Sequence, residues 1–317
     1  MSSVPAKSAP GTAGPDSAAP VSAQPQDQPG PGSPQPRPTG QSAAPGSAAP
    51  ESGTRPPQSL LRRMVLVPPQ HGAWAFLALP IALALTVAPA SILVIPLVLA
   101  WVAAYPASFA ALGLIRARRG ARFKPPFAFW STITALAALS LVVFRPWLLA
   151  VGAGFAVAFS ANLFYAHRND ERALLNDLVF TIECAAMVPV TWAVAAGRRG
   201  WSGAPGWGPG RLWALTTLCL LLLIASTLHV KSLIRQRRNP IYRRVSQIFA
   251  ITTIPASCGL AAWYGPAAGW WLVPPSLFVA ARSFIVGRKP LPPKEVGLIE
   301  LAGFVLALGC AILAAAL

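Results

Sequence analysis

The sequence predicts an all-α polytopic membrane protein, a bundle of about nine transmembrane helices behind a disordered N-terminal tail. Three observations carry that prediction. Only 11% of the 317 residues are charged, where a soluble globular domain carries about a quarter, and 54% are apolar. The apolar residues from position 68 onward come in runs of roughly 18 to 24, each long enough to cross a hydrocarbon core about 30 Å thick. The charges, 26 Lys and Arg against 9 Asp and Glu, lie mostly in the gaps between runs and in the tail. This composition argues against an ordinary soluble enzyme. A net charge of +17 would suggest nucleic acid in a soluble chain. In a polytopic chain the retention of Lys and Arg on the cytoplasmic side accounts for most of it, so no nucleic-acid partner is assigned.

Residues 1–58 hold 14 of the 34 prolines together with Ser, Ala, Gly and Gln, and almost no branched aliphatic or aromatic side chain. Such a stretch cannot offset the entropy of ordering its backbone, so it is expected to be disordered. It has no apolar segment after Lys7 and does not read as a secretory signal. Residues 59–317 are the expected transmembrane domain. Nine apolar helices are expected at about 71–89, 91–114, 128–144, 146–166, 174–196, 212–230, 246–264, 269–286 and 298–317. Pro68-Pro69 introduces the first. Pro106, Pro189, Pro255, Pro274 and Pro275 are kink positions of the kind membrane helices tolerate. Gly152, Ala156 and Ser160 recur every four residues, a stripe that lets the fourth helix approach a neighbour closely. Cys184, Cys219, Cys258 and Cys310 stand singly in apolar runs and read as small core residues.

Orientation follows from counting. Arg62, Arg63, Arg282 near the end of the eighth helix, and the gaps after the second, fourth, sixth and eighth supply 19 Lys and Arg, against 4 in the gaps after the first, third, fifth and seventh. That bias places the N-terminus in the cytoplasm and the C-terminus outside, in a bacterial cytoplasmic membrane. Trp147, Trp192, Trp201, Trp207, Trp213, Trp263, Trp270 and Trp271 then gather near the outer interface as an aromatic belt.

With this topology His71, His167 and His229 share the cytoplasmic depth, close in level to Asn169, Asp170, Glu171, Arg172, Asn176, Asp177, Lys231 and Arg235. A pocket opening to the cytosol is the expected site. In HRNDERALLND (167–177) Asn169 reads as an N-cap with Asp170 and Glu171 in the first turn, where the helix dipole favours negative charge. Arg172, Asn176 and Glu183 fall on one stripe that runs into the bilayer. An intramembrane carboxylate such as Glu183 costs about 2.5–3.5 kcal/mol to insert and should face the bundle interior, as a buried interhelical hydrogen bond or as a functional group. HVKSLIRQRRNPIYRR (229–244) puts Thr227, Lys231, Arg235 and Arg238 on one face, suited either to a phosphate or carboxylate headgroup or to anchoring on anionic lipid. Arg282 is expected to snorkel and Glu300 to sit at the interface. No spacing places two histidines on one element, so no metal site is assigned and the cofactor is left unspecified.

VPPQHGAWAFLALP (67–80), RNDERALLNDL (168–178) and HVKSLIRQRRN (229–239) followed by Tyr242 resemble the YwiC-like family of bacterial integral membrane proteins. The resemblance covers the membrane region from about residue 65 and implies a multi-helix cytoplasmic membrane protein without supplying a reaction. The matching positions are His71, Gly72, Trp74, Asn169, Asp170, Glu171, Arg172, Asn176, Lys231 and Arg235. A second resemblance is architectural only. Nine helices with polar motifs after even-numbered ones are similar to the UbiA prenyltransferase superfamily, which implies magnesium and a prenyl diphosphate held by aspartate-rich motifs after helices 2 and 6. Here those gaps read IRARRGARFK and KSLIRQRRN and contain no acid, which puts that chemistry in doubt.

The leading expectation is a membrane protein that contacts lipid and binds an anionic amphiphile in a cytosol-facing basic pocket: a lipid, an isoprenoid phosphate or a quinone precursor. Arg172, Lys231 and Arg235 would bind the anion beside Asn176. His71 or His229 would donate a hydrogen bond or proton, and Asp170 and Asp177 would orient the cations. Three alternatives remain open: a transferase using Asp170, Glu171 and Asp177 with magnesium, a transporter proton-coupled through Glu183, and a non-catalytic assembly factor. Protein partners are not specified by the sequence.

Overall fold

The computed structural model describes residues 68, 71–116, 120–168, 170, 173–197, 210–286 and 291–317. The predicted tail lies outside the described residues, as do Trp201 and Trp207. The described residues belong to one compact unit, Pro56–Leu317. Among them there are nine α-helices and no strand: α1 (His71–Leu85), α2 (Val94–Arg116), α3 (Lys124–Phe144), α4 (Leu148–His167), α5 (Leu174–Ala195), α6 (Gly210–Val230), α7 (Pro240–Tyr264), α8 (Val273–Ile285) and α9 (Pro293–Ala316). Seven are long and apolar enough to cross a membrane, all but α1 and α8. The chain is a multi-pass all-α membrane protein.

The short helices have local causes. α1 was expected to reach about 89, but Thr86 caps it early. Its Oγ1 donates to the Leu83 carbonyl at 2.8 Å, and the last turn tightens as Thr86 N and Val87 N donate to Leu83 and Ala84. At 1.5 Å per residue its 15 residues span about 22 Å. α8 begins at Val273 rather than about 269, because Gly269–Leu272 winds as a 3₁₀ turn. Pro274 and Pro275 sit in the first turn of α8, where no backbone donor is lost, and so are not kinks. α7 starts six residues earlier than expected. Asn239 caps it by accepting the Ile241 N–H at 3.0 Å, and Pro240 occupies the first position. α9 likewise begins at Pro293, behind Pro292.

α6 is the central helix, packed against α1, α5, α7, α8 and α9. Its Leu212, Leu215, Leu218, Leu222 and Leu223 are buried with Leu79 and Leu83 of α1, Val188 of α5 and Ala307 and Ala311 of α9. In lipid these contacts gain little from the hydrophobic effect, so close packing must supply the attraction, and small residues permit it. Gly303 of α9 shows this best, since a Cβ there would lie 2.8 Å from the Phe278 ring of α8. α3 and α4 form an open flank beside α2 and α5. The expected stripe on α4 faces outward: Gly152, Ala156 and Ser160 are exposed, and a Cβ on Gly152 would meet nothing within 4 Å. Trp147 also departs from expectation. It is 1% exposed and packs into a core with Leu97, Leu141, Met187 and Val190, whereas Trp263, Trp270 and Trp271 are exposed as a belt requires.

Candidate functional site

The starts of α5, α7 and α9 meet the ends of α6 and α8 at one end of the bundle, which we call the basic end. Its geometry is organised by the last turns of α6. After Val230 the helix widens into a π turn over Lys231–Arg235, closed by the Gln236 N–H donating to the Lys231 carbonyl at 2.8 Å. Such single turns are rare and frequently mark functional sites. Here the turn changes the direction in which successive basic side chains leave the helix.

Lys231 points to α5. It is 3% exposed, and its Nζ donates to Asp177 Oδ2 at 2.7 Å, while Arg235, about half exposed, approaches the same oxygen at 3.6 Å. One turn deeper the hydroxyls of Thr181 and Thr227 lie 3.3 Å apart, so α5 and α6 are joined by two polar rungs in register. Asp177 is the acid in the first turn of α5, which starts at Leu174 with no side-chain cap, later than an N-cap at Asn169 would place it. Both cations share Oδ2 of Asp177.

His229 points the other way, to α8 and α9. It is 3% exposed, and its Nδ1 lies 2.8 Å from Glu300 Oε1, while the other oxygen of Glu300 is paired with Arg282. Glu300 and Arg282 are each 5% exposed, neither interfacial nor snorkelling as expected. The packing explains the difference. Because Gly303 admits the Phe278 ring, α8 and α9 run close together, and one turn nearer the basic end Arg282 reaches Glu300. One turn to the other side, Phe304 meets Phe76 edge-to-face at 5.5 Å, and Phe76 stacks with Phe180 at 6.4 Å.

The remaining expected residues are scattered. Glu183 of α5 hydrogen-bonds the side chain of Asn162 on α4, an interhelical pair on the open flank rather than at the basic end. Asp170 is exposed in the turn between α4 and α5, His167 is exposed at the end of α4, and Asn176 is half-buried beside Asp177. Asn169, Glu171, Arg172 and the side chain of His71 lie outside the described residues. Gly72 is exposed with nothing within 4 Å of a Cβ among the described residues, so close packing does not demand glycine there. Trp74 packs edge-to-face on Tyr105 of α2, with ring centroids 5.3 Å apart.

Between α6 and α7 the surface forms a hollow of about 610 Å³ lined by Ile234, Arg235, Gln236, Arg237, Arg238, Asn239 and Pro240. Three arginines and no acid line it.

Residues 67–192 match the family model described as YwiC-like protein. A Bacillus subtilis (strain 168) protein named "Uncharacterized protein YwiC" is 28% identical over 251 residues, which cover 77% of this chain and 97% of that protein. No solved structure matches. The family-model match spans α1 to most of α5, so the π turn, the arginine hollow, Arg282 and Glu300 lie beyond it. In the sequence the signal for the buried group was the presence of two ionisable residues, Arg282 and Glu300, inside apolar helices. What could not be read was that they face each other.

Proposed function

We propose that the protein binds an anionic amphiphile at the basic end, with its phosphate or carboxylate headgroup on Arg235, Arg237 and Arg238 and its apolar tail along the outer face of α7. The juxtaposition of two surfaces carries this reading. The arginine hollow opens where α7 begins, and immediately beyond it Ile241, Val245 and Ile248 of α7 are exposed at helical spacing on one face. Guanidinium groups suit bidentate contact with phosphate or carboxylate, and the apolar stripe suits an acyl or isoprenyl chain. Lys231 serves from below: by holding Asp177 it keeps that carboxylate from competing fully for Arg235. The bias of Lys and Arg toward this end supports a site that faces the cytoplasm.

Native mass spectrometry of the full chain in mild detergent tests the site, comparing wild type with Arg235→Gln/Arg237→Gln/Arg238→Gln. We expect an anionic adduct on the wild type whose retention falls at least about tenfold in the variant, a change of about 1.4 kcal/mol. A ladder of phospholipid masses would assign the site to bulk anionic lipid, and a single discrete mass to a dedicated isoprenoid or quinone-type ligand. Equal retention by both proteins would overturn the proposal. For the orientation, a green fluorescent protein fused to the C-terminus should be dark if that end is exported, and bright if the assignment is inverted.

A further inference from the structure

His229, Glu300 and Arg282 lie inside the bundle, and their contacts decide which imidazole nitrogen carries the proton. A guanidinium group stays charged and can only donate, so the carboxylate it pairs with is held ionised and can only accept. His229 Nδ1, 2.8 Å from the other oxygen of that carboxylate, must therefore be the N–H donor. A neutral ring protonated at Nδ1 has its lone pair on Nε2. That atom is buried and has no hydrogen-bond partner among the described residues. One nitrogen is thus oriented by a carboxylate, itself oriented by an arginine, and the other is left as an open base within the bundle.

We propose that His229 is an intramembrane proton-binding site that takes up and releases a proton at Nε2, with Glu300 and Arg282 as positioning residues. The proton is the ligand that fits, because it needs no volume beside a ring 3% exposed. With the ring neutral, Arg282 and Glu300 cancel. With the proton bound, the group carries one positive charge, attracted by Glu300 and repelled by Arg282. Each other helix packed on α6 presents little to disturb that balance. Asp177 of α5 is engaged by Lys231, Gly72–Leu85 of α1 contains no ionisable side chain, and Arg243 and Arg244 of α7 are exposed, as are Lys294 and Glu295 in the first turn of α9. The site is independent of the headgroup reading, since none of its three residues lines the arginine hollow.

Nitrogen NMR of histidine-labelled full chain in lipid nanodiscs tests this, and with three histidines in the sequence the signal missing from His229→Gln is that of His229. We expect a neutral ring protonated at Nδ1 in mildly alkaline buffer and reversible uptake of a second proton at Nε2 when the sample is taken to mildly acidic buffer. In Glu300→Gln and Arg282→Gln the step should move in opposite directions along the pH axis, because one variant removes the attraction and the other the repulsion. A ring protonated at Nε2 in its neutral form, or one that takes no second proton across this range, would overturn the proposal. So would a step that stays in place in both variants. If neither variant folds, the wild-type titration alone decides.

Discussion

Two ion networks leave α6 within three residues of each other and differ in how much water they keep. His229, Glu300 and Arg282 are each at most 5% exposed. Lys231 is as buried as His229, but its partner Asp177 keeps a quarter of its side chain exposed, and Arg235 is about half exposed. An ion pair sealed from water is held by the penalty of breaking it, since the abandoned charge has nothing to solvate it. A pair at the rim can exchange its partner for water or for an anion at small cost. Two ion networks on opposite sides of one helix end thus differ in their access to water: one is sealed in the bundle, and the other can change its contacts at the rim.

Stability measurements of the detergent-solubilised protein test this contrast. The largest effect is expected for Glu300→Ala, which leaves Arg282 buried and unpaired and should cost about 3–5 kcal/mol, read as a large fall in unfolding temperature. Restoration of most of that loss by combining it with Arg282→Met would show that the stranded charge, not the lost contact, is responsible. Next comes Lys231→Met, which removes a charge-assisted hydrogen bond while keeping the apolar stem. It should cost about 1.5–3 kcal/mol, moderated because Asp177 can rehydrate. Gly303→Leu should cost about 1–3 kcal/mol by forcing Phe278 and the α8 backbone away, and it should lower the coupling measured between Arg282 and Glu300 in a double-mutant cycle. The smallest effect belongs to Arg235→Ala, under about 1 kcal/mol in stability despite a marked loss of bound anion. A stability loss for Arg235→Ala equal to that for Glu300→Ala would erase the distinction between the two networks.

A second contrast, between the packed and open sides of the bundle, bears on the α4 stripe. α5 and α6 bury more than half of their apolar spans, while α3 and α4 bury about a tenth or less. A stripe such as Gly152, Ala156 and Ser160 states that a close neighbour would fit. It does not state that one is present within the chain, and here the face is open among the described residues.

Much of the fold was legible because lipid imposes simple rules. Nine apolar segments were readable from length and composition, and the largest boundary differences have local causes: a cap at Thr86, Pro240 behind Asn239, and the 3₁₀ turn before α8. The residues of the basic end were legible as a set, since Asp177, His229, Lys231 and Arg235 are polar side chains at one end of apolar helices. Their pairing was not. Helical periodicity places Lys231 on a face of α6 but does not name α5 as the neighbour, and the π turn shifts the register that an ideal helix would give to Arg235. Arg282 and Glu300 were misjudged for a related reason. From sequence a charge near a helix end is as compatible with snorkelling as with burial, and only the position of the next helix separates the two.

Composition and the lengths of the apolar runs were enough to give the helical character of the described residues, where the helices run and which ends gather the positive charge. Those properties depend on local composition and on the bilayer, which every helix meets separately. Only the tertiary structure decided that His229 faces Glu300, 71 positions away, and that Lys231 faces Asp177. Between helices that are all apolar, neighbours are chosen by shape, such as Phe278 entering the space left at Gly303, and shape complementarity between distant segments has no local signature in a sequence.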